Sequence, residues 1–185
     1  MKTRKVKDLM VPLAEYATVS ENDSLYAAVL ALEEAQKKFR QEAYKHRAIL
    51  ALDKGGRVVG KLSQLDVLKG LEAGYKKMGD FKGFSHTGFS TDFIKSMVDK
   101  YDLWQKPLED ICRRAPRIRV KDVMYTPTEG EYIEEEATLD QAIHQLVVGH
   151  HQSLLVTQDG GEIVGILRLT DVFQEVCVMI KACPL

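Results

Sequence analysis

The sequence has no run approaching the roughly 20 apolar residues that cross a bilayer, and its amino terminus, MKTRKVKDLM, lacks the apolar core of a secretory signal. A cytoplasmic protein without a membrane partner is expected. It also has no excess of either charge, since 26 basic residues face 27 acidic ones for a formal net charge of -1. Affinity for polyanions needs a concentrated positive surface, so nucleic acid is not an expected partner. Cysteine is scarce. Cys112, Cys177 and Cys183 form neither a CxxC pair nor an even disulfide framework, so they read as reduced structural thiols and no metal site is expected on them. A nucleophile elbow, a P-loop and an HExxH motif are missing as well, and no catalytic activity is expected.

What the chain does have is 185 residues, 45% of them hydrophobic, enough for one compact domain or two small ones. It repeats itself. Val6-Lys7-Asp8-Leu9-Met10 returns as Val120-Lys121-Asp122-Val123-Met124, an offset of 114 that persists through Val19/Ile133, Leu25/Leu139, Ala28/Ala142 and Leu32/Leu146. The offset then falls to 105, where His46 meets His151, Leu50 meets Leu155, Gly60 meets Gly165, and Asp66-Val67 meets Asp171-Val172. The nine extra residues of the first copy fall in the polar stretch around Gln36 to Lys45, which reads as added turns on a helix.

Each copy reads in the same order. A short strand ends near Val19 or Ile133, and a helix cap follows, on Ser20 or Asp23 in the first copy and on Thr138 in the second. The next helix carries one apolar stripe, Leu25, Ala28, Val29 and Leu32 or Leu139, Ala142, Ile143 and Leu146. Two apolar runs around Asp53-Lys54-Gly55-Gly56, and again around Gln158-Asp159-Gly160-Gly161, signal hairpins. A final helix starts near Ser63 or Leu169. A half of about 60 residues buries too little surface alone, so the two halves should pack sheet against sheet. The expected fold is α+β, two tandem β-α-β-β-α repeats and a largely helical insertion. The expected segments are 1–71, with the extended first helix, 72–119, the insertion, and 120–185, the second repeat with its C-terminal helix.

This order, given twice with a Gly-Gly hairpin and a Gly-x-x-Ser-x-x-Asp ending, resembles the CBS domain pair, also called a Bateman module. The resemblance implies a pseudo-twofold pair with two clefts that hold AMP, ADP, ATP or S-adenosylmethionine as a regulatory ligand, with no obligatory cofactor. Gly60 suits close backbone approach, Ser63 can donate to a phosphate, and Asp66 can accept from the two ribose hydroxyls. By resemblance the first cleft joins these to Thr126, Tyr132, His151 and Gln152 of the other repeat. The second, weaker cleft joins Gly165, Arg168 and Asp171 to Val11, Pro12, Ala17, His46 and Arg47. There Arg168 stands where the first copy has Ser63, and it either grips a phosphate or fills the cleft.

Other roles are open for the same residues. Asp66 and Asp171 stand near helix starts, where capping alone accounts for a carboxylate, and His46 and His151 read equally as packed or turn residues. His150-His151 with His144 make no complete metal set. In the insertion, Tyr75 to Phe89 is rich in aromatics and glycine and reads as a shaped loop. Phe93, Ile94, Met97, Val98 and Tyr101 follow helical spacing, and Trp104, Leu108 and Ile111 continue the apolar face. The favoured reading packs this segment on its own module, and the alternative makes it a docking surface for an effector protein. Arg113, Arg114, Arg117, Arg119 and Lys121 form a basic run, read as solvated linker in preference to a phosphate site. The family resemblance and the apolar Val176-Cys177-Val178-Met179-Ile180 together imply a homodimer. The functional expectation is a non-catalytic, nucleotide-sensing regulatory module; the alternative is a structural or interaction module with vestigial clefts.

Overall fold

The structure, a computed structural model, describes residues 4–38, 47–72, 75, 90–101, 103 and 110–183. In each repeat the apolar runs form an antiparallel hairpin, β3 (Ala48–Leu52) with β4 (Val58–Ser63), and β6 (Ser153–Thr157) with β7 (Ile163–Arg168). The turns explain their glycines. Gly56, Gly160 and Gly161 have φ of 80°, 88° and 82°, a region costly for any residue with a Cβ. Asp53 closes the first turn by accepting from the backbone of Gly55 at 2.8 Å and Arg57 at 2.9 Å. Short parallel strands complete each sheet, β2 (Thr18–Ser20) beside β3 and β5 (Tyr132–Glu134) beside β6.

The helices over these sheets are α1 (Leu25–Lys38) and α2 (Gln64–Leu71) in the first repeat, and α5 (Leu139–Val148) and α6 (Leu169–Lys181) in the second. Between them lie α3 (Thr91–Lys100) and the short α4 (Ile111–Arg114). Thr138 caps α5 as expected, accepting from Gln141 N at 3.3 Å. The cap of α1 is a correction: Ser24 accepts from Ala27 N at 3.1 Å, while Ser20 and Asp23 close the preceding turn. Ser24 is the register partner of Thr138. A second correction concerns Val29, which is 42% exposed while Leu25 and Ala28 are fully buried. The buried stripe of α1 runs through Leu25, Ala28, Leu32 and Ala35, and Val29 lies beyond its edge. The added turns expected near Gln36 to Lys45 extend to Lys38 and otherwise fall outside the described residues, as do 76–89, Trp104 and Leu108.

The repeats are not side-by-side units, because each sends its leading segment into the other. Val6 is fully buried in the second repeat's core with Ile133, Leu139 and Leu167, and Val120 is fully buried in the first repeat's core with Val19, Leu25 and Leu62. The backbone bonds match pair for pair. Val6 and Lys7 donate to the carbonyls of Ala137 and Glu135, while Val120 and Lys121 donate to those of Asp23 and Glu21, all between 2.9 and 3.0 Å. Lys5 and Lys7 both reach Glu136, and Arg119 and Lys121 both reach Asn22 at 3.0 Å. Arg119 and Lys121 of the basic run are thereby docking contacts. Burying each valine is worth about 1.5–3 kcal/mol.

Beyond these segments the chain adds to the opposite sheet. The two-residue β1 (Val11–Pro12) pairs with β7, giving the order β1-β7-β6-β5, against a three-stranded β2-β3-β4. Tyr125 makes the mirrored contact, exchanging two 2.8 Å backbone bonds with Lys61 of β4. The sheets meet face to face through Leu50 and Leu155, equivalent residues that are fully buried in one cluster with Val11, Tyr16 and Ile166. Their pairing marks the pseudo-twofold axis of an α+β fold.

Gly60 and Gly165 lie beneath these crossings. A Cβ on Gly165 would stand 2.6 Å from the Val11 carbonyl oxygen, a backbone atom, whereas one on Gly60 would meet the flexible Met124 sulfur at 2.5 Å. Gly165→Ala is expected to lower stability by about 2–3 kcal/mol, and Gly60→Ala by about 1 kcal/mol because Met124 can turn aside. Urea midpoints of the two variants check this, and equal losses would contradict it.

Candidate functional site

The hairpins bring the starts of β3 and β6 and the ends of β4 and β7 to one edge, where a cavity of about 470 Å3 opens across the pseudo-twofold axis. Its volume is within the range of small-molecule sites. Equivalent positions from both repeats line it, Arg47 with Gln152, Ala48 with Ser153, Ser63 with Arg168, and Leu65 with Thr170. Tyr16, Lys61, Gln64, Asp66 and Tyr125 complete the wall. Arg47 is exposed and has no ion pair among the described residues, so it offers the cavity an uncommitted cation.

The Gly-x-x-Ser-x-x-Asp ending forms a capping box. Ser63 Oγ accepts from Asp66 N at 3.2 Å and donates to Asp66 Oδ2 at 2.6 Å, while Ser63 N donates to the same oxygen at 2.9 Å. Asp66 therefore holds one oxygen in the cap. Oδ1 has no partner among the described residues and belongs to a side chain that lines the cavity. The second copy is built differently. Arg168 donates through Nε and Nη2 to both oxygens of Asp171, at 2.5 and 2.6 Å, and this fork is largely buried. Tyr16 lies close enough to feel both charges. Burial pushes its hydroxyl up to about 12, with Arg168 opposing and Asp171 adding to the rise.

A second polar cluster crosses between repeats beside the cavity. Lys61 of β4 pairs with the buried Glu131, which also takes hydrogen bonds from the Tyr125 hydroxyl and from Thr128 N at 3.1 Å. The Lys61 ammonium lies 5.7 Å from the centre of the Tyr125 ring. On the mirrored side the register equivalents are Ile166, Ala17 and Val11, all of them apolar and buried.

The sequence model of the CBS domain matches this chain at residues 6–73 and 120–177. The chain belongs to the CBS domain family. No curated protein sequence matches it. Among solved structures, a CBS domain-containing protein of unknown function from Bacillus anthracis is similar with a TM-score of 0.62 at 19% identity, covering 97% of this chain and 95% of that one. CBSX2 in complex with AMP, a protein of Arabidopsis thaliana, gives 0.56 at 20% identity over 96% and 98%. The CBS domain of a bacterial CNNM/CorC family Mg2+ transporter in complex with ATP gives 0.59 at 13% identity over 94% and 87%. These likenesses are of fold.

In this CBS pair the candidate residues of both expected clefts are redistributed. Ser63, Asp66 and Gln152 share the cavity with Arg47 and Arg168, residues assigned to different clefts. Thr126 and Tyr132 are exposed and outside its lining, and His151 lines a separate open groove with His144, Gln141 and Val148. Gly60 and Gly165 are covered by Met124 and Val11. Val11 and Pro12 pair with β7, and Ala17 is buried in the first repeat's core, its carbonyl accepting from Leu50 N at 3.0 Å. His46 is outside the described residues. Lys61, Tyr125 and Glu131 were not expected. Their one sequence signal is Lys61 itself, a cation where the register puts Ile166. Among the described residues no helix is long and apolar enough to cross a membrane, and no cluster of metal-ligating side chains is found.

The Lys61–Glu131 pair gives the CBS pair a defined acid response. Burial works to raise the Glu131 carboxyl, but hydrogen bonds from Lys61 and Tyr125 and the Lys61 charge hold it below its ordinary 4.5. A depressed carboxyl stabilises the fold fully above that ordinary value, and the contribution is lost as pH falls through the lower folded-state value. Glu131→Gln, which leaves Lys61 buried and unpaired, should cost about 3 kcal/mol at pH 7. Chemical denaturation from pH 7 down to pH 3 should give the variant a flatter acid limb than the parent. Parallel limbs would contradict the assignment.

Proposed function

We propose that the chain is a non-catalytic regulatory module that senses an adenosine nucleotide in the cavity between its repeats. The observation that carries this reading is the pairing of an uncommitted carboxylate oxygen on Asp66 with the cation of Arg47 on one cavity wall. A carboxylate accepts from vicinal sugar hydroxyls and a guanidinium binds phosphate, the two groups that a nucleotide presents. Ser63 acts indirectly by fixing the Asp66 rotamer. The AMP and ATP complexes of the similar CBS structures support this ligand class, and S-adenosylmethionine, with the same adenosine portion, remains in the series to be tested. The segments 1–71, 72–119 and 120–185 supply first repeat, insertion and second repeat in this reading, and the cytoplasm is its compartment.

Regulation requires the ligand to favour one arrangement of the halves over another. Exposed apolar residues on the helices, Tyr26 and Leu30 on α1, Val147 and Val148 on α5, Phe173 and Ile180 on α6, support homodimerisation as the readout. The exposed Phe93 and Ile94 on α3 support the second reading, recruitment of an effector protein by the insertion.

Calorimetric titration of ligand-stripped protein with AMP, ATP and S-adenosylmethionine tests the proposal. At least one should bind, and Asp66→Ala should weaken it by about 1.5–3 kcal/mol, roughly 10- to 150-fold. Loss of the α2 cap costs about 1 kcal/mol, too little to unfold a domain of ordinary stability. Absence of binding by all three ligands would sink the nucleotide reading.

A further inference from the structure

Pseudo-twofold symmetry supplies two equivalent corners to the cavity, one at Asp66 and one at Asp171. Four equivalent pairs line it from both sides, and Asp66 is among the five residues that line it from one side only, its equivalent Asp171 lying outside the lining. The difference begins three residues earlier. Ser63 is short and engages only Oδ2 of Asp66. Arg168 is long, and its fork takes both oxygens of Asp171, with side-chain exposures of 8% and 16% for the two residues. The acceptor atoms that sugar hydroxyls would need are therefore already engaged, and by a charged donor.

We propose that Arg168 is a built-in occupant of the second corner, its guanidinium standing where the ligand's sugar hydroxyls stand beside Asp66, so that the module binds one nucleotide per chain. This rests on the nucleotide reading of the cavity given above. Arg168 thus sets stoichiometry. A module with a single open corner responds to one nucleotide concentration, without the coupling between neighbouring ligands that two open corners would bring.

The test is calorimetric titration of AMP into the full-length chain in four forms: parent, Asp66→Ala, Arg168→Ser, and the double variant. The parent should bind one AMP per chain and Asp66→Ala should lose at least tenfold in affinity. Arg168→Ser, which restores the hydroxyl of the first repeat, should bind two, and the double variant should bind one through the freed Asp171. Two AMP per parent chain would overturn the inference, and this arm decides the matter even if Arg168→Ser does not fold. A folded Arg168→Ser that still binds one AMP overturns it too. So does a tenfold weaker Arg168→Ser at unchanged stoichiometry, which would make Arg168 a phosphate ligand of the open corner. These outcomes leave the nucleotide reading standing, whereas absence of AMP binding by every form removes both.

Discussion

The architecture depends on the reciprocal docking of two short segments, Val6 to Met10 and Val120 to Met124, each into the core of the repeat it does not belong to. A repeat of about 60 residues buries too little apolar surface to fold comfortably alone. Exchange solves this without added length. Each segment fills its host's core with a valine, satisfies backbone groups at the host's helix start, and then runs on to the host's sheet, where a glycine gives it room. The cavity is a consequence of the same exchange, since Tyr16 and Tyr125 enter its wall on the chain just past each docked segment.

On this symmetric frame the chain places unequal chemistry. One crossing carries Lys61, Glu131 and Tyr125 in a buried polar network, and the other carries Ile166, Ala17 and Val11. One corner has a serine that spares a carboxylate oxygen, and the other has an arginine that spares neither. Duplication provides two sites of one shape, and a few substitutions then decide which stays open. Buried ion pairs add little net stability against an apolar alternative but are costly to break halfway. The Lys61–Glu131 pair therefore contributes a fixed relation between the repeats more than it contributes stability.

Much of this was legible in the sequence. The offset of 114 and then 105 residues, the Gly-Gly turns and the helix stripes led to two β-α-β-β-α units, because each signal is local and appears twice. Capping by Asp66 was also legible, since Ser63 three residues before it makes a recognisable box. The exchange was not legible in the residues themselves, and only the family resemblance put Val11 and Pro12 beside Gly165 of the other repeat. A two-residue strand such as Val11–Pro12 has the same pattern whichever sheet receives it, so nothing local distinguishes its own sheet from the opposite one. Lys61 and Glu131 are 70 residues apart, and neither announces the other. The sharing of one cavity by Arg47 and Gln152 has the same cause, as they come together only once the sheets face each other through Leu50 and Leu155. The cap of α1 is legible by register alone, since Ser24 stands where the second repeat has Thr138.

The reciprocal docking makes the two repeats one cooperative body, and a ligand in the proposed site is expected to stabilise both halves together. Native-state hydrogen exchange of the full chain, with and without saturating AMP, tests it most directly. Backbone amides of β3 and β6 should share one opening free energy, and AMP should raise both by the same increment, as ligand linkage to a single unfolding unit requires. Two distinct opening energies, or protection by AMP confined to one repeat, would contradict the account.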